Sequence, residues 1–234
     1  MTLEEIGESL WLAEGEIVSF HGFPFPTRCV VARLEDGGLW VWSPTKLTRA
    51  LRDGVDRLGR VAHLVSPNKL HHLYLAAWKA AYPSARIWGP ASTIRKVRSL
   101  AFEPPLEDDA PAAWRLAIEQ AWFRGSMVMD EVVFFHRPSR TVILADLIEN
   151  FPERFLEEHW AWWQRPLGRL DGITTASARA PLEWRLSFLD RSLARAARRK
   201  MLAWDCTQVV MAHGEWQRRG GQAFLARSFS WLGE

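Results

Sequence analysis

The stretch Val61-Ala62-His63-Leu64-Val65, closed by Ser66-Pro67 and followed by Leu73-Tyr74-Leu75-Ala76-Ala77-Trp78-Lys79, most narrows the folds open to this chain. A short apolar run bounded by turn residues reads as a buried strand, and the longer run after it has helical spacing. Beyond the turn Tyr82-Pro83-Ser84, the run Ala85-Arg86-Ile87-Trp88 reads as the next strand, which completes a β-α-β alternation. The fold class that follows is α/β.

The flanking segments extend the pattern. Upstream, Glu16 to Phe20, Thr27 to Leu34 and Gly38 to Trp42 are short apolar runs separated by Gly22, Pro24, Pro26 and Asp36-Gly37-Gly38, as antiparallel strands and hairpins are. Ser43-Pro44 stops the third run, and Leu47, Leu51, Val55 and Leu58 give helical spacing over Thr45 to Leu58. The helix after Val65 is predicted over Lys69 to Ala81. Glu103 to Pro111, rich in proline and acids, reads as an exposed loop. Val132 to His136 and Thr141 to Asp146 flank Arg137-Pro138-Ser139-Arg140 and predict a hairpin. Helices are expected over Pro152 to Gln164, Leu182 to Ala203 and Gly221 to Leu232, with a strand over Thr207 to Ala212.

With 234 residues, 48% of them hydrophobic, the chain can bury a substantial core, and one domain spanning 1–234 is expected. The 30 Lys and Arg are interspersed with 27 Asp and Glu, which argues against a nucleic-acid partner. The basic run Arg191 to Lys200 keeps apolar residues at helical spacing and reads as a solvated helix face rather than an anion surface. Two cysteines, Cys29 and Cys206, provide no disulfide framework and suit a reducing compartment. The acidic start, Met1 to Glu5, does not read as a targeting peptide, and no apolar stretch has membrane-spanning length. These features lead to the expectation of a cytoplasmic protein with no membrane partner.

Polar groups tend to gather where buried strands end and a cleft can open. Three strand ends here carry side chains able to bind metal: Asn68, His71 and His72 after Val65, Asp146 after Leu144, and His213 after Met211. Imidazole and carboxylate suit zinc, iron or manganese without any thiolate. Successive helical residues point about 100° apart, so His71 and His72 can flank one point only at a first turn, where Asn68 would serve as N-cap. Each residue also has an ordinary use. Asp146 could cap the segment Leu147 to Asn150, and His213 could be a turn residue before Gly214. His21, His63, His136 and His159 are read as structural. Among 14 tryptophans, Trp160, Trp162, Trp163 and Trp216 are candidates for an apolar lining over the cleft, with core packing as the alternative.

The segments LVSPNKLHHLYLAAWKAAYPSARIWGP (64–90), EVVFFHRPSRTVILADLIENF (131–151), VVMAHGE (209–215) and LWVWSPTKLTRAL (39–51) together resemble the metallo-β-lactamase-like superfamily. The branch they are similar to is an uncharacterised one, a domain of unknown function. The resemblance implies an αββα sandwich with a metal site along the sheet edge. Carried over from the superfamily's His-x-His-x-Asp-His loop, the Asp-His end falls on His71 and His72, the bridging acid on Asp146 and the final histidine on His213. The loop's first two histidines fall on Pro67 and Lys69, and a further histidine falls near Met127. None of these three can ligate as imidazole does, and Asn68 and Glu131 are the polar neighbours left to compensate.

Four ligands, His71, His72, Asp146 and His213, support one divalent metal, with zinc first and iron or manganese as alternatives. The expected activity is metal-dependent hydrolysis of a small ester, amide, thioester or phosphoester, with Asp146 orienting the nucleophile. Two other readings stay open: an iron-dependent oxidoreductase at the same residues, and a non-catalytic binding or structural module whose metal site has decayed. The expected partner is a small-molecule substrate, and the residues leave its identity and the oligomeric state open.

Overall fold

The computed structural model describes residues 2–233. Six strands lie side by side in chain order: β1 (Glu4–Gly7), β2 (Leu10–Phe20), β3 (Phe23–Arg33), β4 (Gly38–Trp42), β5 (Arg60–Val65) and β6 (Arg86–Trp88). The first four run antiparallel. From β4 to β6 the strands are parallel, with α1 (Arg49–Leu58) and α2 (Leu75–Ala81) as the crossovers. After α3 (Ala91–Lys96) and the proline-rich loop comes a second sheet. In it β7 (Ile118–Phe123), β8 (Glu131–His136) and β9 (Thr141–Leu144) are antiparallel, while β10 (Gln208–Met211) lies parallel to β9 at the edge. Between β9 and β10 run α4 (Glu153–His159), α5 (Gln164–Asp171), α6 (Leu182–Ser187) and α7 (Ser192–Leu202), and α8 (Gly221–Ser228) follows β10.

Strand alternation explains how the two sheets stack. In β8, Val132 and Phe134 enter the core between the sheets, whereas Val133 and Phe135 face the helices. Residues of β9 and β10 divide the same way, with Ile143 and Val210 inward and Val142, Leu144, Val209 and Met211 outward. Across the gap, Trp40 and Trp42 of β4 join the inner core, while Leu39 and Val41 pack under Leu51, Val55, Leu75 and Trp78 of α1 and α2. Helices α6 to α8 cover the other outer face through Trp184, Ala194, Ala197, Met201, Phe224 and Leu225. The order of layers is helix, sheet, sheet, helix, the αββα sandwich that the resemblance implies.

Several boundaries differ from the sequence expectation. Pro24 and Pro26, taken as separators, lie inside β3, paired with Ser19 and Ile17 of β2. Strand β4 pairs only with Val30 to Arg33, so the first half of β3 is open on that side and tolerates a missing N–H. The β2–β3 loop is His21-Gly22, both at positive φ, the backbone a two-residue hairpin demands. Helix α2 begins at Leu75, not Lys69, because 67–74 are spent on turns. The helix expected over Pro152 to Gln164 stops at His159, and α5 starts afresh at Gln164. The one expected over Leu182 to Ala203 breaks after Ser187, where Phe188 bridges to Ser126 and Met127 N donates to the Ser187 carbonyl. Strands β1 and β7 and helix α3 carried no clear periodic signal.

Candidate metal centre

Three strand ends converge, as the open edge of the sandwich requires. The turn after β5 presents His71, the residue two past β9 is Asp146, and the residue two past β10 is His213. His71 Nε2 lies 3.3 Å and His213 Nε2 3.1 Å from the same oxygen, Asp146 Oδ1. All three ligand atoms fall within 4.8 Å of one another. Ligands 2.0–2.1 Å from a tetrahedral zinc sit about 3.3 Å apart, so the two histidine–aspartate spacings match a cation's coordination edges.

The other side of each ring is already committed. His213 Nδ1 donates to the Pro26 carbonyl at 2.7 Å, since a carbonyl can only accept, so whenever the ring is neutral it turns a bare Nε2 toward Asp146. Two acceptors 3.1 Å apart require a proton or a cation between them. His71 Nδ1 pairs with Ser43 Oγ at 2.7 Å, and its ring stacks on Trp42. Phe25 meets the His213 ring edge-on at 5.1 Å. Such partners fix tautomer and ring orientation for metal binding, so the donor set fits one divalent cation.

Asp146 is held from behind. Asn68 donates through Nδ2 to Asp146 Oδ2 and to Glu131 Oε2, both at 2.9 Å, and Glu131 also accepts the backbone N–H groups of Ala145 and Asp146. Burial opposes ionisation of Asp146, but the adjoining His71 and His213 outweigh it and hold the carboxyl well below the usual carboxylate range. Glu131 behaves oppositely. Burial, reinforced by the Asp146 charge, pushes it up to about 8 against the pull of its three N–H donors. Because Asn68 occupies Oδ2, Asp146 turns a single oxygen toward the histidines, which suits one cation rather than two.

His72, expected as a fourth ligand, stands outside the group. The turn aims successive side chains apart, and the His72 imidazole is half-buried, its pKa lowered by burial and then by the charge of Lys96 on α3. Asn68 accepts a backbone N–H, from Leu70 at 2.8 Å, but within a turn and not as a helix N-cap. Pro67 and Lys69 have structural uses. The Pro67 carbonyl accepts from Val132 N, and the Lys69 amine donates to the Val128 carbonyl.

The three donors open into a cavity of about 850 Å³ between the tip of the β2–β3 hairpin, the 69–74 turn and helices α5 and α6. Of the four tryptophans expected as lining, only Trp160 lines it. Trp162 is 81% exposed, Trp163 is half exposed against Phe23, and Trp216 packs under Arg218 at the margin of the two sheet cores. Trp184 of α6, not singled out from the sequence, lines it as well. Arg28 went equally unnoticed. Buried on β3, it grips Glu14 and donates to the carbonyls of Met211 and Gly214, which bracket His213.

Comparison with known proteins agrees with this architecture. The family described as "Domain of unknown function (DUF4336)" matches residues 9–162, and no curated protein matches in sequence. A metallo-β-lactamase from Pontibacter korlensis superposes with a TM-score of 0.63 at 14% identity over 98% of this chain and 97% of its own. The DIM-1 metallo-β-lactamase gives 0.62 at 16% identity, covering 98% and 95%. A diflavin flavoprotein fragment from Nostoc sp. PCC 7120 gives 0.65 at 8% identity, covering 99% and 94%. At these identities the likeness is one of fold. The chain belongs to the DUF4336 family and carries that domain of unknown function on a metallo-β-lactamase fold.

Proposed function

We propose that the protein is a hydrolase dependent on one divalent metal, acting on a small ester, amide, thioester or phosphoester. The observation that carries this reading is the meeting of His71 Nε2, Asp146 Oδ1 and His213 Nε2 at coordination spacing, at the inner end of a cavity large enough for a substrate. Three protein ligands leave a coordination position open, as catalytic sites do and closed structural sites do not. When bound, such a cation supplies Lewis acidity and makes water acidic enough to act as a nucleophile near neutral pH.

The remaining work belongs to the chain. Ser43 and the Pro26 carbonyl hold the two imidazoles with Nε2 facing inward, Asn68 and Glu131 lock the Asp146 carboxylate, and Phe25 and Trp42 shield the rings from bulk water. Asp146 Oδ1, shared with the cation, would orient a nucleophile bound there.

Elemental analysis of the purified protein, followed by an ester, amide, thioester and phosphoester panel, tests the proposal. Close to one equivalent of metal per chain is expected, and His213→Ala should lose both metal and turnover. Metal-replete protein that turns over none of these bonds, or turnover that survives His213→Ala, would refute it.

A further inference from the structure

One polar group in the cavity has no role in the metal centre. Glu149 follows Asp146 by three residues, is 3% exposed, and lines the same cavity, yet its Oε2 is buried without any hydrogen-bond partner. A buried unpaired carboxyl is costly, and native proteins keep such a group where a ligand can complete it.

Its surroundings define the ligand. The walls are apolar, with Phe23, Phe25, Trp160, Leu167, Leu182 and Trp184 among the lining. Leu73, Leu170 and Leu186 extend this lining to the mouth and remain largely exposed. Among charged groups, Asp146, Asp171 and Glu183 line the cavity beside Glu149, and Glu131 lies behind Asp146. Of the nearby lysines and arginines, Lys69 alone lines the cavity. Lys69 donates to the Val128 carbonyl, Arg185 donates to the Asp171 carbonyl, and Arg179, whose backbone carbonyl accepts from Glu149 N, does not line the cavity. His71 and His213 face Asp146, and His21 lies on the hairpin tip. With no metal bound, these carboxyls outnumber Lys69 and repel an anion. A neutral carbonyl could use Glu149 only as the protonated acid and would gain nothing from the acids around it, whereas a cation gains from each.

We propose that this cavity takes a lipophilic amine, its elongated apolar body against the leucine and aromatic walls and its ammonium paired with the Glu149 carboxylate. The proposal rests on the hydrolase reading only in making the amine a substrate; the binding itself needs no metal. Burial, and then the charges of Asp146, Asp171, Glu183 and Glu131, push the free Glu149 carboxyl well above the usual carboxylate range. Pairing with an ammonium therefore requires Glu149 to release a proton, so affinity rises with pH, by up to about tenfold per unit, until the carboxyl is ionised in the free protein.

Calorimetric titration of the whole protein, in buffer holding a chelator so that no divalent metal can ligate the carboxylate, with dodecylamine and dodecanoate below their micellar concentrations and dodecanol below its solubility limit, at pH 6, 7 and 8, tests this. Dodecylammonium is expected to bind at least about tenfold more tightly than the other two, with affinity rising with pH and proton release visible as a dependence on buffer ionisation heat. Glu149→Gln, neutral and nearly isosteric, should lose that preference. Equal or tighter binding of dodecanol or dodecanoate, affinity falling with pH, or a Glu149→Gln protein that keeps the preference would each overturn the proposal. The wild-type ligand series decides even if the variant does not fold. Because the readout is binding, a negative result here is distinct from absence of metal or turnover at His71, Asp146 and His213.

Discussion

At the scale of single residues, the candidate metal centre depends on atoms outside the cluster of His71, Asp146 and His213. Ser43 ends β4 at φ 47°, an uncommon conformation for a residue with a side chain, and this places Oγ against His71 Nδ1. Ser43→Ala keeps the same backbone requirement but releases the ring. Metal affinity, measured by competition with a chelating dye, should fall about 10- to 100-fold while the unfolding midpoint hardly moves. Gly214 matters sterically. At φ 84°, a Cβ there would lie 2.1 Å from the Asn150 carbonyl oxygen, whereas one on Gly220, at φ 67°, would meet nothing within 4 Å. Both alanine variants incur the left-handed backbone penalty of about 1–2 kcal/mol. Gly214→Ala should cost distinctly more in urea unfolding, and equal losses would show that the turn after His213 gives way. His71, Asp146 and His213 were legible in the sequence because each lies in the turn that closes an apolar strand, and a strand end is visible in one dimension. Ser43, Arg28 and Glu149 were not, since their importance comes from what the other sheet or the later helices bring beside them. The adjacency of His71 and His72 misled for a related reason: a pair in sequence is a pair in space only if the backbone between them is known.

Among the elements, most strands of the two cores were read, β1 and β7 were not, and the helices were read partly. Both faces of β8, β9 and β10 are covered, so the strands are almost uninterrupted apolar runs, and a run of that length between turns admits few other forms. The helices between Pro152 and Ala203 look continuous by spacing but break at Trp160 and Phe188, which are buried against β3 and the 126–127 loop. Tertiary packing overrode local preference there, and periodicity carries no sign of it. Arg28 couples elements in the same hidden manner, tying β3 to the end of β10 through the carbonyls of Met211 and Gly214. Arg28→Met would leave both carbonyls without that donor. A loss of about 2–4 kcal/mol in chemical unfolding is expected, together with weaker metal binding as His213 loosens. Glu14, the half-exposed partner of the same guanidinium, should matter far less, with Glu14→Gln costing under about 1 kcal/mol. If the two variants prove equal, Arg28 acts through its ion pair and not through β10.

Over the whole molecule, buried titratable groups set opposing limits on the pH range of stability. His63, packed on Trp88 and Trp114, is pushed down to about 4 by burial and then by the charge of Arg86. His136, bonded to Ser139, is lowered to about 4 by burial. Both would titrate near 6.5 in the unfolded chain, which therefore binds protons that the folded chain refuses. Their contribution is complete above about pH 6.5 and is lost as pH falls toward 4, by up to about 3 kcal/mol each. Glu149 works in the other direction. Its folded pKa lies above the ordinary 4.5, so the unfolded state ionises first and stability declines as pH climbs from 4.5 toward the folded value. Single variants separate the two limbs. His136→Gln, measured by urea unfolding at pH 5 and pH 7, should shrink the difference between the two by about 2 kcal/mol, whereas Glu149→Gln should widen it, because the destabilisation it removes is present at pH 7 and largely absent at pH 5. If His136→Gln leaves the difference unchanged, the imidazole is protonated inside the sandwich, and a group paired with it would have to be sought among β7, β8 and the 137–140 turn. If Glu149→Gln leaves it unchanged, the carboxyl ionises normally in the free protein, and an ammonium ligand would bind without releasing a proton.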